Sequence, residues 1–392
     1  MSLRVTLVSE TYMPQINGVS RTLERLVDHC VQGGDLVQLM VPRYEEAKAD
    51  REGIVRCSWR GWRLPFYREV LLPLVTPRRL RREIADFSPD LVHIATEGPL
   101  GVAALRACRQ LGLPVVSSYH TNFPQYLSSY RLGLLESIAW RYLRWFHNAT
   151  SMTLCPTPTI RDVLYEHGFE RVEIWSRGVD TRLFDATRRS IAVRRELGIG
   201  ENEVVAVYAG RLAAEKNLPL LMDAWHERPA EGPDRLLLVG DGPLRGQLEA
   251  RSADGVIFAG YRRGEDLARC YAAGDFFVFP SVTDTFGNVM LEAMASGLPV
   301  VGFDVAGPRD IVRHTETGLI VRDQTAGALS RAMVHLATMT QQRQHMGRKA
   351  RSFAEAQSWH QILEQVREQY RVVASPVNIG RGRPGHAGRN SE

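Results

Sequence analysis

Residues Phe276 to Gly302, F-F-V-F-P-S-V-T-D-T-F-G-N-V-M-L-E-A-M-A-S-G-L-P-V-V-G, constrain the fold more than any other stretch of the chain. The apolar run Phe276 to Phe279 is short enough for a strand buried on both faces in a parallel sheet. Pro280 to Thr285 is polar loop, and Asn288 to Ser296 repeats apolar residues at helical spacing. Gly297 suits a helix C-terminus, and Pro299 enforces the stop. Strand, loop, helix, stop and strand in succession predict an α/β fold. Asp284 in the loop and Glu292 in the helix frame this unit. Between them lie Gly287, which allows close backbone approach, and a helix N-terminus whose free N–H groups suit an anion. N–H groups for phosphate and carboxylates for hydroxyls together suit a sugar attached to a nucleoside diphosphate.

The segment D-T-F-G-N-V-M-L-E-A-M-A-S-G resembles the E-x7-E signature of retaining glycosyltransferases of family 4, with Asp284 where Glu is more usual. Its T-D-T-F-G-N variant is similar to the subgroup of GDP-mannose-dependent α-mannosyltransferases and their sulfoquinovosyl- and glucosyltransferase relatives. The resemblance extends over residues 3–373 and implies the GT-B fold. That fold has two Rossmann-like, doubly wound parallel-sheet domains facing a cleft, with a C-terminal helix crossing back to the first domain. The implied boundaries are 1–175 for an acceptor-binding domain, 176–355 for a nucleotide-sugar-binding domain and 356–374 for the returning helix. Residues 375–392, rich in Gly and Arg and poor in apolar residues, are expected to be a disordered tail.

Length agrees with two domains, since 392 residues supply each with its own core. Five cysteines (Cys30, Cys57, Cys108, Cys155, Cys270) with no CxxC pair argue for a reducing cytoplasm and against a disulfide framework or a zinc site. No apolar run reaches the length of a signal-peptide core or a membrane span, so a cytoplasmic location is expected. The basicity is local: residues 51–82 hold nine arginines against two acids, with Trp59, Trp62, Phe66 and Tyr67 among them. Such a mixture suits peripheral contact with an anionic membrane, on the inner face of the cytoplasmic membrane. A solvated arginine-rich surface is the alternative. Nucleic acid is disfavoured, because no nucleic-acid-binding motif accompanies the patch.

In the first half, E-T-Y-M-P-Q-I-N-G-V follows the opening strand, where a doubly wound domain places its ligand. Asn17 and Gly18 there can offer backbone N–H groups to a phosphate, and the family places a similar G-V loop beside the diphosphate. His120 ends another strand in S-Y-H-T-N-F. The resemblance implies that it contacts the donor sugar and helps place the leaving group without acting as general base. Arg177 and Gly178 are left open between phosphate contact and linker.

In the second half, G-R-L-A-A-E-K-N places Arg211 and Lys216 five residues apart across a turn, so both can converge on one diphosphate and stabilise the charge developing on it. The segment matches the family's G-R-L-x-x-E-K. Asp241 in G-D-G-P-L reads as turn chemistry, with Pro243 set for a helix start. By resemblance Tyr261 and Arg262 lie beside the nucleotide base, although Tyr261 also suits packing. Glu292 is implied to hold the ribose hydroxyls and Asp284 the hydroxyls of the transferred sugar. The amides of Phe286, Gly287, Asn288 and Val289 are implied to approach sugar and phosphate.

The resulting expectation is transfer of a hexose, mannose from GDP-mannose first and a UDP-hexose next, to a lipid or glycan hydroxyl with α configuration. The departing phosphate would take the proton. No D-x-D occurs in the chain, so no cofactor and no metal are expected. A GT-B epimerase, a phosphorylase and a non-catalytic nucleotide-sugar-binding module are disfavoured alternatives.

Overall fold

A computed structural model describes residues 2–15, 18–44, 51–63, 71–73, 75–120, 133–284 and 286–375. Asn17, residues 64–70 of the arginine-rich stretch (with Phe66 and Tyr67), the T-N-F-P-Q-Y loop after His120 and the tail beyond Ser375 lie outside the described residues.

The first domain runs through β1 (Arg4–Val8), α1 (Gly18–Gln32), β2 (Leu36–Pro42), β3 (Ile54–Trp59), β4 (Gly61–Arg63), β5 (Leu71–Pro73) and α2 (Pro77–Phe87). It continues through β6 (Leu91–Ile94), α3 (Pro99–Leu111), β7 (Val115–Ser118), α4 (Gly133–Asn148), β8 (Met152–Cys155), α5 (Pro158–Glu166) and β9 (Val172–Ile174). Its sheet has the order β3-β2-β1-β6-β7-β8-β9 and is parallel throughout. β4 and β5 form a separate antiparallel ribbon.

The second domain comprises α6 (Ile191–Glu196), β10 (Val205–Ala209), α7 (Leu218–His226), β11 (Arg235–Val239), α8 (Arg245–Ala250), β12 (Val256–Gly260), α9 (Gly264–Ala272) and β13 (Phe276–Phe279). After these come α10 (Asn288–Ala295), β14 (Val300–Phe303), α11 (Pro308–Ile311), β15 (Gly318–Val321), α12 (Ala326–Thr338) and α13 (Thr340–Glu355), and α14 (Trp359–Ala374) then returns to the first domain. The second domain's sheet has the order β12-β11-β10-β13-β14-β15 and is also parallel.

The strands are apolar because both sheet faces are covered by helices. Along β10, Val205, Val207 and Ala209 enter one core cluster while Ala206 and Tyr208 enter the other, as the two-residue period of a strand requires. Helix starts follow local chemistry. The Thr157 side chain accepts from the Ile160 amide, and Pro158 occupies the first turn, where its missing N–H costs nothing. The expected start at Pro243 falls short of the observed one, because Pro243 and Leu244 form a turn and α8 begins at Arg245. Trp59 is buried in the first-domain core, so it cannot belong to a surface aromatic patch. Arg51, Arg60, Arg78, Arg79, Arg81 and Arg82 are exposed.

The chain crosses between domains twice, side by side. Val179 pairs with Ser358 as a parallel bridge, and its amide donates to the Gln357 carbonyl at 3.2 Å. Gly178 permits this crossing: a Cβ there would lie 2.7 Å from the backbone nitrogen of Trp359. After the crossing, α14 packs on the first domain through Ile362, Leu363, Val366, Tyr370 and Val373, in one cluster with Leu3, Val5, Leu23 and Leu26. The buried Arg367–Asp35 ion pair, 2.8 Å, fixes it further. A second link joins the domains, since Asp310 of α11 accepts from the Thr159 amide at 3.1 Å and hydroxyl at 2.9 Å, in the first turn of α5.

Candidate active site

In each sheet the strand order reverses beside its first strand, between β1 and β6 and between β10 and β13. Loops that leave such adjacent strands in opposite directions open a crevice at their carboxyl ends. Here the crevices of the two domains face each other and merge into one cleft. A larger lobe of about 1030 Å³ is bordered by Arg21, Arg25, Tyr261, Arg262 and Glu292. A smaller lobe of about 310 Å³ is bordered by His120, Arg177, Asp284, Phe286 and Gly287. Gly18, Arg211, Lys216, Asn288 and Val289 border both. A Cβ at Gly18 would stand 3.7 Å from Asn288 Nδ2, so the N-terminus of α1 meets that of α10 across the cleft. The positive ends of two helix dipoles therefore converge where the lobes join.

The loops after β10 and β13 are tied together. The hydroxyls of Ser281 and Thr283 donate to the Glu215 carbonyl at 3.3 and 3.1 Å, and the Asn217 side-chain amide donates to the Pro280 carbonyl at 3.2 Å. This lacing puts Lys216 Nζ 2.6 and 2.8 Å from the two oxygens of Asp284. The sequence reading assigned the two residues to different parts of a donor. The structure joins them as an ion pair. Tyr208 donates to the Arg211 carbonyl at 3.0 Å and steadies the turn that carries Arg211 into the cleft.

Gly287 has a φ of +85° and caps α10, and a Cβ there would come within 2.8 Å of the Phe279 ring. One and a half turns further on, Glu292 accepts from the Tyr271 hydroxyl at 2.9 Å. Burial raises its pKa above the usual carboxylate value, while the Tyr271 hydrogen bond and the charges of Arg21 and Arg25 oppose the rise. Tyr261 is half exposed, with the Arg263 guanidinium 4.8 Å over its ring, and Arg262 donates to the Ala259 carbonyl at 3.0 Å. Asp241 accepts from the Gly242 amide at 2.7 Å and pairs with Arg245 at 3.3 Å, which is the turn role read from the sequence.

His120 receives a hydrogen bond at Nδ1 from Arg177 Nη2, 3.0 Å. A guanidinium only donates, so Nδ1 is the acceptor and the ring proton sits on Nε2. Burial and the Arg177 charge hold its pKa well below the usual imidazole value. His120 is thus a neutral N–H donor. Arg177 itself is buried, bonded to His120 and to the carbonyls of Trp175 and Ser176. Its role here is to orient His120, and phosphate contact is not needed to explain it. Tyr271, Arg21 and Arg25 were not singled out from the sequence. Among the described residues no group of three or more His, Cys, Asp or Glu is placed to hold a metal ion.

Two facing Rossmann-like domains with cations and carboxylates in the cleft between them fit the glycosyltransferase class, and the comparisons with known proteins agree. Residues 16–183 match the model of Glycosyltransferase Family 4, and residues 203–339 match Glycosyl transferases group 1. The chain is 34% identical over 376 residues to a GDP-mannose-dependent alpha-mannosyltransferase of Mycobacterium tuberculosis, covering 95% of this chain and 97% of that one. It is 31% identical over 364 residues to sulfoquinovosyl transferase SQD2 of Arabidopsis thaliana, covering 91% and 71%. Among solved structures, sucrose-phosphate synthase from Thermosynechococcus elongatus superposes with a TM-score of 0.79 at 20% identity, covering 95% and 99%. The chain belongs to the family 4 glycosyltransferases and has their GT-B fold.

Proposed function

We propose that this glycosyltransferase moves mannose from GDP-mannose to a hydroxyl of a lipid or glycan, retaining the α configuration and needing no metal. The observation that carries the reading is the position of Arg211 and Lys216, bordering both lobes of the cleft, with Glu292 on one side and His120 and Asp284 on the other. A diphosphate lying on the two cations points its nucleoside into the larger lobe and its sugar into the smaller. Glu292 then accepts from the ribose hydroxyls, Tyr261 and Arg262 flank the base, and the amides of α10 meet the phosphate. Asp284 accepts from sugar hydroxyls, and His120 donates through Nε2–H to a sugar oxygen. As the glycosidic bond breaks, Arg211 and Lys216 stabilise the charge gathering on the diphosphate. The acceptor hydroxyl attacks from the same face and gives its proton to the departing phosphate. GDP-mannose is supported by the 34% identical GDP-mannose-dependent relative. The 31% identical sulfoquinovosyl relative supports the second reading, another hexose on a UDP carrier. Peripheral contact with an anionic membrane belongs to the same proposal and is supported by the exposed arginines of residues 51–82.

The test is a thermal-shift panel of GDP, UDP, ADP and TDP, with and without EDTA, because a ligand of the folded state raises the melting temperature. GDP alone should stabilise, EDTA should change nothing, and Lys216→Ala should lower kcat by roughly 10²–10³. Stabilisation by UDP alone would remove mannose from the reading. Silence from every nucleotide would remove the donor site.

A further inference from the structure

Arg21 and Arg25 stand on the first-domain wall of the cleft. They are one turn apart on α1 and share a face, while Leu23, Leu26 and Val27 of the same helix are buried in the core. Both arginines are exposed. They border the larger lobe only, together with Arg211, Arg262 and Glu292. The larger lobe is bordered by the cations Arg21, Arg25, Arg211, Lys216, Arg262 and Arg263 and by the carboxylates Asp180, Glu215, Asp241 and Glu292, so positive charge is in excess there and favours an anionic ligand. Arg21 and Arg25 both act on the Glu292 carboxyl across the cleft. The Arg25 guanidinium also lies 5.1 Å over the Trp359 ring, and Trp359 packs on Gly178 at the interdomain crossing. In the donor pose proposed above, with the diphosphate on Arg211 and Lys216 and the ribose at Glu292, the inner phosphate lies between them in the lobe that Arg21 and Arg25 also border.

We propose that Arg21 and Arg25 are the first-domain half of the donor site and grip the inner phosphate of the nucleoside diphosphate from the side opposite Arg211. This rests on the nucleotide-sugar reading above and adds two side-chain cations of the first domain to the phosphate contacts proposed there. Cations on both walls, bridged by one anion, favour the closed cleft when nucleotide is bound. Arg25 carries that preference to the crossing through Trp359.

The experiment is calorimetric titration of the full chain with GDP, GMP and guanosine, and with UDP, UMP and uridine, at two salt concentrations. Arg21→Gln and Arg25→Gln, singly and together, are compared with wild type, each checked by its unliganded melting temperature. In the double variant, Kd for the diphosphate and monophosphate should rise about tenfold or more. Nucleoside affinity should hold, the salt dependence should flatten, and Arg21→Lys/Arg25→Lys should recover part of the loss. Unchanged phosphate-dependent affinity in a folded variant overturns the proposal, and so does an equal loss for nucleoside and nucleotide. If wild type binds none of the six, the donor reading falls with it. If wild type binds and the variants match it, only this proposal falls.

Discussion

Lys216 and Asp284 neutralise each other in the free protein, at 2.6 and 2.8 Å. In the proposed donor pose a diphosphate sugar engages both at once, the ammonium through phosphate and the carboxylate through hydroxyls, so binding would exchange one ion pair for two contacts. In the proposed donor site, Glu292 is the residue whose ionisation sets a pH limit. Burial lifts its pKa, with Tyr271, Arg21 and Arg25 facing it and opposing the lift. A raised carboxyl pKa means that the free protein loses stability as pH rises through it, whereas accepting two ribose hydroxyls requires the charged form. Nucleotide affinity should therefore fall with acidification from above the ordinary carboxylate range. Glu292→Gln should flatten that profile, weaken binding at neutral pH and raise the unliganded melting temperature. Nucleotide titrations between pH 5 and 8 check the first two and thermal unfolding without ligand checks the third, and a wild-type affinity profile flat across that range refutes the assignment. Arg211, Lys216, Asp284 and Glu292 were legible in the sequence because each sits in a short motif that carries its own turn. Tyr271 and Arg21 were not, because they reach Glu292 from helices distant in sequence. The Arg177 charge was visible, but its partner His120 is 57 residues away.

At the scale of elements, the βα alternation and the Thr157–Pro158 cap were legible because local chemistry dictates them. The ribbon of β4 and β5 was not, since three residues per strand carry no period. The docking of α14 depends on an interior polar contact. His93 Nδ1 meets the Tyr370 hydroxyl at 2.5 Å, and its Nε2 meets the Ser118 hydroxyl at 2.6 Å. Burial lowers the His93 pKa to about 3. Between that value and the unfolded value near ~6.5 the unfolded chain takes up a proton that the folded chain refuses, so stability falls as pH drops through the window. Tyr370→Phe leaves a ring nitrogen unpaired in a dry interior and should cost ~1–3 kcal/mol. Urea unfolding at neutral pH measures it, and a midpoint equal to wild type contradicts the docking role.

At the scale of the molecule, no helix among the described residues is long and apolar enough to cross a membrane. The exposed arginines of α2 bear on surface contact instead. Arg79 is paired with Glu83 at 3.2 Å, so Arg78 and Arg82 are the better probes. Replacing both with Gln should lower affinity for vesicles containing phosphatidylserine roughly tenfold or more, at about 1 kcal/mol per arginine. Flotation with anionic and neutral vesicles reads this out, and equal binding to both removes the membrane from the proposal. The paired crossing at Val179 and Ser358 has a consequence for biosynthesis. The second domain lies wholly between β9 and α14, and the first-domain core is sealed by α14. A growing chain can thus complete its second domain while the first still waits with an open apolar face. The domain made first is therefore completed by a helix made after the second domain.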